Sequence, residues 1–480
     1  MSSAPLLGSR AADGHQQERR RSSWLGRVVD AEEACAQLRF SAPMILMNMF
    51  YYGIPLVSVM FSGHLGDVQL AGATLGNSWV TVTGLAFVIG LSGGLETLCG
   101  QAYGAGLYGK LGLYLQSSLI MSTVASSLVS VLWVFTEPLL LLLRQEPRVS
   151  RAAAAFVRPQ IPGLFAFAFL QCLLRYLQMQ SVVLPLVAFS AASFAFHVAL
   201  THLLVNVLGL GLAGASAAVS VTLWVACLML LAYVLRSEEF SETWKGFSAE
   251  AFRYVLPTAK LAAPSAVMVC FEYWAFELLV LVAGLLPNST VSTSLVAICT
   301  STESIAYMIT YGFGAAASTR VSNEIGAGNV DKAKNAVSVT MKLSVLLGIS
   351  FVVLLAFGHG LWASLFSGSA VIVSEFATIA PLVIISIVLD SAQGVLSGVA
   401  RGCGWQHLAA LTNLVAFYFI GMPLAIFFAF KLKLNTMGLW AGLICGLVCQ
   451  ACSLVVITVR TKWSKIAEAI QEEKASYGIA

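Results

Sequence analysis

Runs of mostly apolar residues, each about 20 long, recur twelve times along this chain with short polar segments between them. A helix needs about that length to cross the hydrocarbon core of a bilayer. The runs fall at 41–61, 71–94, 113–135, 156–177, 182–205 and 212–235, then at 261–286, 294–317, 336–357, 376–399, 408–430 and 437–459. Composition agrees. Of the 480 residues, 58 % are hydrophobic and 10 % charged, against about 45–50 % and about 25 % in a soluble domain. So few charges could not cover a soluble surface. The expected fold is an all-α polytopic membrane protein with 12 transmembrane helices. The remaining residues suffice for loops and two tails, and not for a soluble domain of about 100–150 residues.

The longest internal polar stretch, 236–260, divides the runs into six and six. The expected organisation is a disordered cytosolic tail over 1–35, an N-lobe over 36–236, a cytosolic linker over 237–260, a C-lobe over 261–460 and a cytosolic tail over 461–480. The first tail is rich in Ser and Arg and has no apolar core of a signal peptide. Basic residues gather on the cytosolic side of membrane proteins. With both termini placed there, only Arg144, Arg148, Arg151, Arg158, Lys431 and Lys433 of the 27 basic residues fall in exterior loops. The sequon at Asn288 also falls in an exterior loop, which makes Asn288 a candidate glycosylation site.

The halves repeat each other at an offset of 222 residues. Gly104-Ala105-Gly106 matches Gly326-Ala327-Gly328, and Thr97, Lys110, Pro159 and Gln171 match Thr319, Lys332, Pro381 and Gln393. Ala42-Pro43 matches Ala263-Pro264 at 221. A common register across these regions is a duplication. Two six-span repeats share one orientation, so their pseudo-twofold axis should lie along the membrane normal, as in secondary transporters with parallel repeats.

Few acids lie inside the apolar runs: Glu272, Glu277, Glu303 and Asp390. A charge at mid-membrane costs about 2.5–3.5 kcal/mol even on lenient scales. Such carboxyl groups suit proton coupling, because burial favours the neutral form. At the repeat offset Asp390 meets Ala168, and Glu272 meets Phe50 or Tyr51. The duplication therefore did not place these two acids, which points to proton handling in the C-terminal half. Glu277 is turned about 140° from Glu272 on a straight helix. The two face one site only if the helix bends, for which Pro264, matched by Pro43, is the candidate. Glu303 has Thr302 and Ser304 as neighbours. Tyr51, Tyr273 and Trp274 either line a pocket for a flat or cationic solute through cation–π contact or simply pack the bundle. His197 and His202 suit hydrogen bonds between helices. Arg175 and Arg401 are expected to snorkel at cytosolic ends in a structural role.

Several classes are excluded. Gly104 to Leu111 nearly spells a phosphate-binding loop, but Leu111 replaces the required Ser or Thr and no strand precedes it. No cofactor is expected, and an ion gradient is the remaining energy source. Cys445, Cys449 and Cys452 share a helix face without a His or carboxylate, so no metal site is expected. No disulfide is expected either. There is no basic domain for nucleic acid.

Glu96-Thr97-Leu98-Cys99-Gly100-Gln101-Ala102-Tyr103-Gly104-Ala105-Gly106, Ser318 to Asn329, Glu272-Tyr273-Trp274-Ala275-Phe276-Glu277 and Arg401-Gly402-Cys403-Gly404-Trp405-Gln406 together resemble the plant-type multidrug and toxic compound extrusion (MATE) transporters over residues 36–462. The resemblance implies two six-helix lobes around a V-shaped cleft, and antiport in which an organic solute leaves the cytosol as protons enter. It also implies that Glu272 and Asp390 are the proton-coupling pair. On this reading the protein is a monomer and not an enzyme. Its partners are small organic solutes (xenobiotics, alkaloid- or flavonoid-like or cationic), protons and membrane lipids. It resides in the plasma or vacuolar membrane. The alternatives are a major-facilitator porter, whose basic loop between spans two and three is missing, and a lipid-linked oligosaccharide flippase of the same superfamily, whose broad basic cavity is missing.

Overall fold

The computed structural model describes residues 30–476; residues 1–29 of the expected tail lie outside them. The described chain is almost wholly helical. In the N-terminal half the long helices are α1 (Ala31–Gly63), α2 (Asp67–Gly104), α3 (Tyr108–Val134), α4 (Pro147–Met179), α5 (Leu184–Val207) and α6 (Gly211–Arg236). In the C-terminal half they are α7 (Ala251–Ala283), α8 (Ser289–Gly326), α9 (Val330–Phe366), α10 (Ala370–Cys403), α11 (Gln406–Lys431) and α12 (Asn435–Arg460). A shorter helix, α13 (Trp463–Ser476), follows. Hydrocarbon offers the backbone no water, so each N–H and C=O must find its partner within the element. Eleven of the twelve long helices are apolar enough to cross a membrane by length and composition; α8 is the exception. Thr300, Ser301, Thr302, Glu303 and Ser304 fall in succession within it.

Most helices outrun the apolar stretches that announce them. Residues 31–35, expected in the tail, are the first turns of α1, because the Asp30 side chain accepts from the backbone N–H of Glu32 and Glu33 and caps the helix. Glu32 and Glu33 then sit where the helix dipole favours negative charge. α4 starts at Pro147, inside the expected exterior loop, with Pro in the first turn where its missing N–H costs nothing. The expected C-terminal tail contains α13.

The duplicated Gly-Ala-Gly segments are helix ends. Gly106 N–H donates to the Tyr103 carbonyl and Leu107 N–H to that of Ala102; Gly328 and Asn329 do the same to Ile325 and Glu324. This is the glycine-terminated helix stop, with φ 77° at Gly106 and φ 81° at Gly328. The glycine before each stop serves packing. A Cβ on Gly104 would lie 1.9 Å from the Asn323 carbonyl oxygen, and one on Gly326 would lie 2.2 Å from that of Gln101. The ends of α2 and α8 thus cross reciprocally, backbone against backbone, on the side of the termini.

Between the lobes α7 packs on α2, and α8 packs on α1 and α2. The largest apolar core runs through both lobes on the side of the termini, taking in Leu111, Tyr176, Val321, Val399 and Trp405. α13 joins it through Trp463, whose ring meets Trp405 edge-on at 5.5 Å. A second core, with Leu279, Leu355, Phe376 and Trp440, fills the outer half of the C-lobe. α2, α5 and α11 each contain a π-helical turn, at Thr81–Leu85, Leu203–Val207 and Leu414–Gly421, and a second one ends α11.

Candidate functional site

A cavity of about 420 Å³ lies between the lobes, on the half of the molecule away from the termini. Its walls come mainly from α1, α2, α4, α7 and α8, with residues of α3, α6 and α10. The glycine corners close it on the side of the termini.

Glu272 of α7 and Asp390 of α10 both line the cavity and are buried. Their carboxyl groups share one donor: Gln393 Nε2 reaches Glu272 Oε1 at 3.0 Å and Asp390 Oδ1 at 2.7 Å. Asp390 and Gln393 are three residues apart on α10, so they share a helix face. Ser397, one turn on, donates to the Gln393 side-chain oxygen Oε1 at 2.9 Å and fixes which end of the amide faces the acids. Neither carboxyl group forms an ion pair among the described residues.

Glu303 also lines the cavity, but it is tied into the wall. Ser386 donates to its Oε2 at 2.7 Å, and Trp440 Nε1 donates to the Ser386 hydroxyl at 3.0 Å. Its expected neighbour Thr302 accepts from Trp362 Nε1 at 2.8 Å. Glu277 reaches the cavity as well as Glu272, because the cavity is wide enough to take in two faces of α7. Tyr51 and Tyr273 line it, joined by Tyr52, Tyr307 and Tyr311. Trp274 does not. It is turned about 100° from Tyr273, and its Nε1 donates to the Val82 carbonyl of α2 at 3.0 Å. Pro264 and Pro43 sit inside α7 and α1 and do not line the cavity, whereas Pro55 of α1 does. Asn288 is exposed and left-handed, φ 57°, just before α8.

Sequence reasoning missed the polar cluster at the cavity floor. Arg175 and Arg401, expected to snorkel, are both buried. Glu96, two residues beyond the end of the second apolar run, stands between them: its Oε1 is 3.2 Å from Arg175 Nε and its Oε2 3.0 Å from Arg401 Nε. Arg175 also donates to Gln178 at 2.8 Å and to the Tyr311 hydroxyl. Both guanidinium groups lie over the Tyr311 ring, at 5.5 and 5.8 Å. The missed signal was an acid and two arginines in apolar surroundings, which need one another. His197 makes interhelical bonds, to Ser58 of α1 at 3.1 Å and Thr222 of α6 at 3.0 Å.

Such a cavity can hold a small organic molecule against tyrosine faces, and its carboxyl groups can exchange protons. Comparisons with known proteins bear on the rest. The MatE family model matches residues 43–203 and 264–427. The two segments start at Pro43 and Pro264, the matched prolines of the repeat. Protein DETOXIFICATION 18 of Arabidopsis thaliana is 53 % identical over 457 residues, spanning 95 % of this chain and 97 % of its own length. Protein DETOXIFICATION 16 of the same plant is 42 % identical, spanning 91 % and 90 %. The crystal structure of the eukaryotic MATE transporter AtDTX14 superposes with a TM-score of 0.89 at 37 % identity, over 92 % of this chain and 99 % of that one. A multidrug resistance MATE family transporter in an outward-facing conformation shares the fold at a TM-score of 0.80 and 18 % identity, over 92 % and 97 %.

Proposed function

Because this chain belongs to the MATE family of multidrug and toxin efflux transporters, an integral multi-pass membrane protein of two six-helix lobes, we propose that it is a proton-coupled antiporter that moves organic solutes out of the cytosol through the inter-lobe cavity. The observation that carries the reading is the Gln393 amide shared by Glu272 and Asp390. Two carboxyl groups so close, with no cation paired to them, repel each other when both are ionised, and a proton on either removes the repulsion. Coupling follows if proton and solute bias one conformational equilibrium in opposite directions. Protonated, the pair loses its charge, and the C-lobe helices repack with reduced affinity for the solute. The tyrosine walls favour planar aromatic solutes, and Glu277 favours those carrying positive charge.

On this reading the lobes are 36–236 and 261–460, both termini are cytosolic as the Lys and Arg distribution suggests, and the membrane is plasma or vacuolar. Family membership leaves no place for the major-facilitator alternative.

The test is transport of ethidium, a planar cation, into proteoliposomes under an imposed pH gradient. Asp390→Asn keeps the shape of the side chain and removes its titration. It is expected to abolish gradient-driven uptake. Undiminished uptake by this variant, or uptake driven by a sodium gradient in place of protons, overturns the proposal.

A further inference from the structure

We propose that Glu96 and Arg401 form an inner-gate clamp, which holds the lobes shut on the side of the termini and has to release before the cavity can open there. The proposal rests on reading the cavity as the transport path, and not on which ion drives transport.

The pair crosses the lobe boundary, since Glu96 belongs to α2 and Arg401 to α10. Several polar bonds around it do the same. The Thr97 hydroxyl donates to the Arg401 carbonyl. Gln101 Nε2 donates to the Gly402 carbonyl at 3.0 Å, and Gln406 Nε2 donates to the Thr97 hydroxyl at 2.6 Å. Towards the termini the seam continues as close packing of Gly100 on the Ser322 side chain and as backbone against backbone at Gly104 and Gly326. At the surface it ends in the ion pairs Glu33–Arg320 at 2.8 Å and Lys110–Glu473 at 2.7 Å. Backbone packing is weak at any one contact and yields when helices tilt. A buried ion pair behaves differently.

The cluster is asymmetric in a way that suits a gate. Arg175 lies on α4, in the same lobe as Glu96. When the lobes part, Glu96 keeps Arg175, while Arg401 loses its one ion-pair partner among the described residues. A guanidinium left unpaired while still buried is unfavourable until water reaches it. Opening admits that water. Small excursions are therefore resisted and full opening is not, which is the behaviour of a two-state gate. Arg401 is a positioning residue in this scheme, acting through the lobes.

The test uses the full-length protein in lipid nanodiscs at constant pH, with no gradient and no solute, read by hydrogen-exchange mass spectrometry. Glu96→Gln removes the charge and keeps the shape. The amides of 97–104, 319–326 and 397–403 are expected to exchange faster by about tenfold or more, tenfold corresponding to about 1.4 kcal/mol. Those of α9 and α12 are expected to be unchanged. Glu96→Asp, which keeps the charge, is expected to return exchange towards that of the unaltered protein. Should Glu96→Gln not yield folded protein, Arg401→Gln is read in the same way. Unchanged exchange in the three segments, or a rise spread equally over α9 and α12, overturns the proposal. Asp390→Asn leaves the clamp intact, so a failure of proton coupling in that variant has no bearing on this result.

Discussion

Gly104→Ala is expected to force apart the crossing of α2 and α8. The added Cβ would stand 1.9 Å from the Asn323 carbonyl oxygen and 2.7 Å from its carbonyl carbon. Both atoms are backbone, so no rotamer change relieves the collision. One helix must move by roughly 1–1.5 Å to restore ordinary van der Waals separation. Overpacking costs about 1–3 kcal/mol in general, and a rigid backbone neighbour puts this site near the upper end. Alanine returns up to about 1 kcal/mol as the better helix former. The net expectation is a loss of about 2 kcal/mol, seen as a melting temperature lower by roughly 2–5 °C when intrinsic tryptophan fluorescence is followed in detergent. Gly358→Ala, within α9 and with nothing within 4 Å of its would-be Cβ, supplies the control and should gain about 0.5–1 kcal/mol. Gly326→Ala should resemble Gly104→Ala, because its Cβ meets the Gln101 carbonyl in the same way. The two losses should not add, since the glycines relieve one shared crossing. If Gly104→Ala melts at or above the unaltered protein while Gly358→Ala behaves as stated, the reciprocal crossing is not what fixes these glycines.

Two further outcomes are expected. Ser386→Ala removes the partner of both Glu303 Oε2 and Trp440 Nε1; leaving buried polar groups unsatisfied costs about 1–3 kcal/mol each, so this variant should melt well below Ser350→Ala, whose hydroxyl is exposed. The Asn335 side chain and the backbone N–H groups of Glu33 and Glu32 hold the Asp30 carboxyl below the usual aspartate pKa; because the folded value is the lower one, the stabilisation is present above the usual pKa and lost as pH falls through the depressed one. Amide protection at the start of α1 should therefore fall in acid, and Asp30→Asn should remove that pH dependence.

The twelve crossings were legible in the sequence because bilayer thickness leaves a length signal in each apolar run. α8 was legible too, despite Glu303 and its hydroxyl neighbours, because 294–317 is still a mostly apolar run of the right length. Glu272 and Asp390 stood out as acids that the duplication does not explain, and the structure brings both to Gln393. The cluster of Glu96, Arg175 and Arg401 escaped for a physical reason. Snorkelling was inferred from nearness to the end of an apolar run, but the helices extend past those ends into protein, and the partner of Arg401 lies 305 residues away. Trp274 was grouped with Tyr273 by adjacency, whereas neighbours on a helix face different ways. α13 lacked a signal because its support comes from Trp405 and from Gly326, whose carbonyl accepts from Gln471.

The polarity of α8 has a consequence for how the protein is made. A segment inserted from the ribosome is judged against lipid one helix at a time, and α8 taken alone is a poor candidate for release into it. The groups that satisfy its polar face are Trp362 in α9 and Ser386 and Ser391 in α10, all synthesised after it. α8 must therefore wait beside the insertion machinery, or lean on α7, until α10 has emerged. The helix that supplies the cavity with its hydroxyl groups is also the one that ties assembly of the second lobe to a fixed order.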